Sequence, residues 1–150
     1  MALLIPWSNE LSVGIEEIDE QHKVLVALLN EMNAATQERL GQDKAAEVLS
    51  KLIEYARIHF AVEESLMRIL NYPAYEDHKM RHQNLMRNAL DLIQKAENGK
   101  LSVGIELQFF LKNWLTKHIQ ESDKRYTEHF LKTGAHAKLK KLSWIARLWE

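Results

Sequence analysis

The chain has 150 residues, which predicts one domain, and 46% of them are apolar, which excludes a disordered polymer. Twenty basic against 21 acidic side chains give a net charge of −1, which argues against a nucleic-acid partner. Cysteine is absent, and with it disulfides, zinc–thiolate sites, iron–sulfur clusters and cysteine nucleophiles.

The elements read in chain order as helices. Residues 1–17 form an N-terminal arm with no basic start and no cleavage site, and no apolar run approaches the roughly 18 residues of a membrane span, so a cytoplasmic protein is expected. Ile15, Ile18, His22, Leu25, Leu29, Met32 and Thr36 then step alternately by three and four, the period of an inward stripe on a helix. Gly41 breaks the pattern. A second stripe runs Ala45, Leu49, Leu52, Ala56, His59, Glu63, Leu66 and Leu70. Asn71-Tyr72-Pro73 interrupts it, with Pro73 suited to a helix start. The third stripe is Tyr75, His78, His82, Leu85, Ala89, Leu92 and Ala96, ended by Asn98-Gly99. Ser102 is a candidate N-cap for a fourth, on Leu107, Leu111, Trp114 and His118. Loops this short force neighbours to run antiparallel. The expected fold is all-α, an up-down-up-down four-helix bundle over residues 1–133.

Residues 134–150 form an extension. Lys138, Lys140, Lys141 and Arg147 accompany Leu139, Leu142, Ile145 and Leu148, a short C-terminal basic amphipathic helix. The plainer reading is a helix docked on the bundle or a dimer contact. The alternative is that residues 135–150 bind an anionic membrane surface or an acidic partner.

Polar residues stand on the apolar stripes. His22, His59, Glu63, His78, His82 and His118 occupy positions where leucine belongs, and burying each without a partner costs several kcal/mol. One such histidine is ordinary; six such residues on four inward faces need a common partner. Their heights agree. His22 lies 19 residues before Gly41 and His59 lies 18 after it; His82 and His118 each lie 18 from residue 100. At about 1.5 Å per residue these pairs meet at one level of an antiparallel bundle. A metal site accounts for the convergence.

Local spacings agree with metal. His59 with Glu63, and His78 with His82, are i,i+4 pairs on one helix face. His118 with Asp123 is i,i+5, which on a regular helix diverges by about 140°. Asp123 is therefore either a solvated carboxylate or one swung inward by a π-type irregularity. Imidazole with carboxylate suits iron, zinc, copper or nickel better than calcium or magnesium. Five imidazoles are too many for one ion. On two six-coordinate ions, with Glu63 and Asp123 bridging and one oxide or hydroxide between them, they leave a single position open. Phe60, Trp114 and Leu115 are apolar neighbours able to keep it dry. A histidine-rich donor set disfavours high-valent iron and so suits reversible O2 binding.

His22, His59-x-x-x-Glu63, His78-x-x-x-His82 and His118-x-x-x-x-Asp123, in this order, resemble the full ligand pattern of the haemerythrin family, most of all its single-domain bacterial members. The resemblance covers about residues 7–132, including Trp7 and the segment from Val13 to His22. It implies a four-helix bundle holding two non-haem iron ions bridged by oxide or hydroxide, with O2 as ligand. One iron takes His78, His82 and His118; the other takes His22 and His59 and keeps the open site. Glu63 and Asp123 bridge, and Phe60, Trp114 and Leu115 line the O2 pocket. The implied role is O2 transport, storage or delivery, not catalysis, with a membrane-bound oxygenase as a conceivable recipient. The alternatives are a di-iron oxidase, peroxidase or nitric-oxide reductase, or an iron store. His129 and His136 fall outside the pattern and are expected at the surface. Tyr126 reads first as a packing residue and second as a hydroxyl behind the site. The acidic run from Glu16 to Glu20 suits a helix N-terminus.

Overall fold

Apolar residues recurring at three- and four-residue steps can be buried only if helices pack along one shared axis, and the chain does this. The structure is a computed structural model and describes residues 4–37, 42–97 and 105–133. Helix α1 spans Glu16–Gln37, α2 Gln42–Ile69, α3 Tyr75–Glu97 and α4 Ile105–Lys117. A π-helical segment, His118–Asp123, follows α4 without a break and passes into α5, Lys124–Lys132, so these three form the fourth rod. Among the described residues there is no strand, and no helix is long and apolar enough to cross a membrane.

Chain direction follows from what each helix brings to two levels of the interior. Moving from the polar cluster to the apolar end, residue numbers rise on α1 (His22 to Leu29), fall on α2 (His59 to Leu52), rise on α3 (His82 to Ala89) and fall on the fourth rod (His118 to Leu111). That is up-down-up-down. Leu25, Leu29, Leu66, Leu85, Leu107 and Ile119 are buried in the shared core.

The α2–α3 turn is closed by chemistry visible in the sequence. Asn71 takes the left-handed conformation (φ +56°), Tyr72 N–H donates to Met67 O at 2.8 Å, and Asn71 N–H donates to Arg68 O at 3.2 Å. This is the Schellman arrangement, which satisfies carbonyls the helix end leaves over. Pro73 precedes α3, which begins two residues later. The expected turns at Gly41 and Asn98-Gly99, the cap at Ser102 and the whole extension 134–150 lie outside the described residues.

The arm is shorter than expected, because α1 starts at Glu16. Asp19 explains its path. Its carboxylate accepts from Ser12 Oγ at 2.6 Å and from Val13 N–H at 2.8 Å, so it folds the arm back instead of only opening the helix. Gly14 sits at φ +82° in the same bend. Further back, Ile5 N–H donates to Asn30 Oδ1 and Asn30 Nδ2 donates to Ile5 O, each at 2.8 Å.

Candidate metal centre

His22 on α1, His59 and Glu63 on α2, His78 and His82 on α3, and His118 and Asp123 on the fourth rod all converge, and all are buried. They form two groups of possible metal donors: Glu63, His78, His82, His118 and Asp123; and His22, His59, Glu63 and Asp123. Glu63 and Asp123 belong to both groups. Within each group the donor atoms lie within 4.8 Å of one another.

Asp123 takes the inward course of the two considered. The π-helical winding of His118–Asp123 replaces the divergence of a regular i,i+5 pair, and His118 Nε2 lies 3.0 Å from Asp123 Oδ1. The other Asp123 oxygen faces His22 Nε2 at 3.0 Å, and His78 Nε2 is 3.1 Å from Oδ1. Glu63 Oε1 lies 3.0 Å from His59 Nε2 and 3.5 Å from His82 Nε2. His82 Nε2 and His118 Nε2 are 3.0 Å apart.

These atoms are close but poorly satisfied. His22 Nε2, His78 Nε2, Glu63 Oε1 and both Asp123 oxygens are buried without a hydrogen-bond partner. Buried polar atoms normally have partners, so five orphans aimed at one region are the signature expected of a cation's place.

The electrostatics agree. Burial and Asp123 push the Glu63 carboxyl up, but His59 and His82 outweigh them and hold it at about 2. Burial likewise opposes ionisation of Asp123, yet His118, His22 and His78 hold it well below its ordinary value. Burial pulls His22 and His78 down, while the Asp123 and Glu63 carboxylates beside them win and raise both. Burial dominates at His82, which is lowered despite Glu64 and Glu63. Without metal, the two carboxylates thus favour protons on His22 and His78, the positive charge that a cation would otherwise supply.

Three further residues support the donors, and two of them, Gln21 and Glu64, were concealed by the stripes. His59 Nδ1 donates to Gln21 Oε1 at 2.7 Å, and His82 Nδ1 donates to Glu64 Oε2 at 3.1 Å. Both supporters are sequence neighbours of a stripe residue, His22 and Glu63, which is the one signal that could have found them. Tyr126 is fully buried and its hydroxyl donates to Glu63 Oε2, so it does more than pack. Burial first, then Glu63 and Asp123, raises its pKa well above the ordinary value, which keeps that proton in place. His129 is half-buried against Tyr72, not exposed as expected, and belongs to neither donor group.

Phe60 stacks on His82 with ring centroids 3.9 Å apart, and Trp114 stacks on His118 at 4.3 Å. With Leu115 they line a cavity of about 30 Å³ whose walls are all apolar side chains, Ala56, Leu85, Met86 and Leu111 among them.

A four-helix bundle with a buried histidine–carboxylate cluster shared between two donor groups defines a class of bundle proteins whose interior could hold metal cations. Comparison with known proteins makes this specific. The family described as "Hemerythrin HHE cation binding domain" matches residues 13–129. The "Bacteriohemerythrin" of Pseudomonas aeruginosa (strain LESB58) is 36% identical over 130 residues, covering 85% of this chain and 82% of that protein. The "Hemerythrin-like protein" of Naegleria gruberi is 34% identical over 131 residues, covering 84% and 97%. A crystal structure of wild-type hemerythrin superposes with a TM-score of 0.77 at 28% identity, covering 83% of this chain and 96% of that one. The chain belongs to the haemerythrin family.

Proposed function

We propose that the protein binds O2 reversibly at a non-haem di-iron centre. His78, His82 and His118 hold one iron, His22 and His59 hold the other, and Glu63 and Asp123 bridge them. The observation that carries this reading is the sharing of two carboxylates between two overlapping donor groups whose buried atoms lack partners. Two irons of this ligation, when bound, supply the two electrons that O2 takes up and returns. The three-histidine group is complete with its bridges; the two-histidine group is the one short of a donor, so the open position falls there.

The chain's own residues do the rest. Gln21 and Glu64 fix the tautomers and ring planes of His59 and His82, with Nε2 turned towards the cluster. Tyr126 orients Glu63 through its far oxygen. Phe60, Trp114 and Leu115 line an apolar cavity beside the site, a lining that suits an uncharged diatomic better than water. Delivery to a membrane-bound oxygenase, the cytoplasmic location and the role of residues 135–150 are parts of the reading that rest on sequence alone.

The test is iron content with a visible spectrum taken in alternating air and argon. Two irons per chain and an absorption band that appears in air and bleaches under argon over many cycles are expected. Rapid irreversible oxidation without a band would replace the carrier with an enzyme, and more than two irons per chain would replace it with a store.

A further inference from the structure

The two donor groups differ in what stands behind them. Glu63 and Asp123 are common to both and so cannot distinguish them. His59, in the group with His22, donates its Nδ1 proton to the neutral amide oxygen of Gln21, which is buried. His82, in the group with His78 and His118, donates its Nδ1 proton to the carboxylate of Glu64, which belongs to neither donor group. A neutral acceptor fixes a ring and changes its charge little. A carboxylate draws the proton outward and pushes electron density to Nε2, making the ring a stronger donor to a more highly charged ion. Arg81 and Lys117 line an open cleft beside His118 together with the acidic Glu121. Arg81 is also paired with Asp77 at 3.0 Å, so solvent and that pairing weaken its opposing effect.

Resting on the di-iron reading above, we propose that Glu64 is a positioning residue that makes the two irons unequal. Acting through His82, it favours the ferric state of the iron held by His78, His82 and His118. The iron held by His22 and His59, backed by Gln21, is then reduced first. Each reduction adds one electron to one iron from an external one-electron donor. The proton between His82 Nδ1 and Glu64 stays in place, and no bond is made or broken. Loss of a supporting residue of this kind changes metal affinity by about 10- to 100-fold. If about tenfold of that falls on the ferric state alone, the couple moves by about 59 mV for one electron.

The experiment is a mediated redox titration of the iron-loaded full chain, followed by Mössbauer spectroscopy so that the two irons are counted separately. Wild type is expected to show two irons and two separate couples. Glu64→Gln keeps the shape and the acceptor oxygen but removes the charge. It should shift one couple about tenfold towards the ferrous form and leave the other in place. Gln21→Glu should move the second couple the opposite way. If Gln21→Glu does not fold, Glu64→Gln decides alone. Unmoved couples in Glu64→Gln, or both couples moving together, would overturn the proposal, even if iron affinity falls, because a purely structural role weakens both oxidation states alike. Two irons with one common couple in wild type would sink this inference alone. Fewer than two irons per chain would sink the di-iron reading and this inference with it.

Discussion

On one side of Phe60 and Trp114 the bundle interior holds Leu25, Leu29, Leu52, Leu85, Ala89 and Leu111; on the other it holds five histidines, Glu63 and Asp123. Both regions are buried and both are built from the same four rods. In the first, contact is non-directional and every residue gains by leaving water. In the second, each group loses hydration, and the geometry that brings histidines to within about 3 Å of carboxylates leaves several atoms without hydrogen bonds. The apolar region stabilises the fold; the polar region draws on that stability and returns a site.

The contrast can be broken most severely at Asp123, which both donor groups share. Asp123→Ala should abolish loading of both ions, read as iron per chain. It should also destabilise the metal-free fold by about 3–5 kcal/mol in denaturant, because His22 and His78 lose their counter-charge. Removing only His82 or His118 should lose iron or end the reversible band; normal iron and normal cycling in both alanine variants would remove them from the site. Next, Leu29→Ala in the apolar region should cost about 2–5 kcal/mol of stability while iron per chain stays unchanged. Loss of iron in that variant would show that the two regions are not separable.

A smaller and more telling effect is in pH. Glu63, held at about 2 against an ordinary 4.5, contributes stability that is present above 4.5 and lost as pH falls towards 2, and Asp123 acts in the same direction. His22 and His78, raised above 6.5, contribute below 6.5 and lose that contribution as pH climbs past their raised values; His82, lowered by burial, opposes them. The metal-free chain should therefore be most stable between about 4.5 and 6.5 in equilibrium unfolding. Metal retention against a chelator should run the opposite way and improve as pH rises, since binding expels those imidazole protons. The smallest expected effect belongs to Leu115 at the boundary. Leu115→Ala should change how fast the oxygenated form decays, followed at its visible band, with iron content intact.

The four rods and the level of the cluster were legible because stripe period and distance from a turn are both linear in sequence. His22 with His59, and His82 with His118, meet where their counts from Gly41 and residue 100 place them, with ring centroids 5.0 and 4.8 Å apart. Asp123 was not legible from spacing, because a regular helix turns it away and only a change of winding brings it in. The family resemblance, not the period, favoured the inward course. Gln21 and Glu64 were hidden for a different reason. Each lies next to a stripe residue, where a polar side chain reads as a solvated flank, and only the packing of a second helix turns it into a partner. Asp19 looked like a favourable charge on a helix N-terminus; its grip on Ser12 and Val13 depends on the arm folding back, which no local pattern encodes.

The π-helical stretch sets how the site responds to a mutation of a kind unlike any substitution. Taking one residue out of 119–122 would return that rod to ordinary winding and leave the shared acid four residues after His118, still on the same inward face, so the stretch is one extra residue absorbed without loss of phase. A single-codon deletion inside the stretch should thus spare the donor face, whereas the same deletion in the regular part of α4 would turn the residues beyond it by about 100° against the other rods, which makes the place of a deletion more informative than its size.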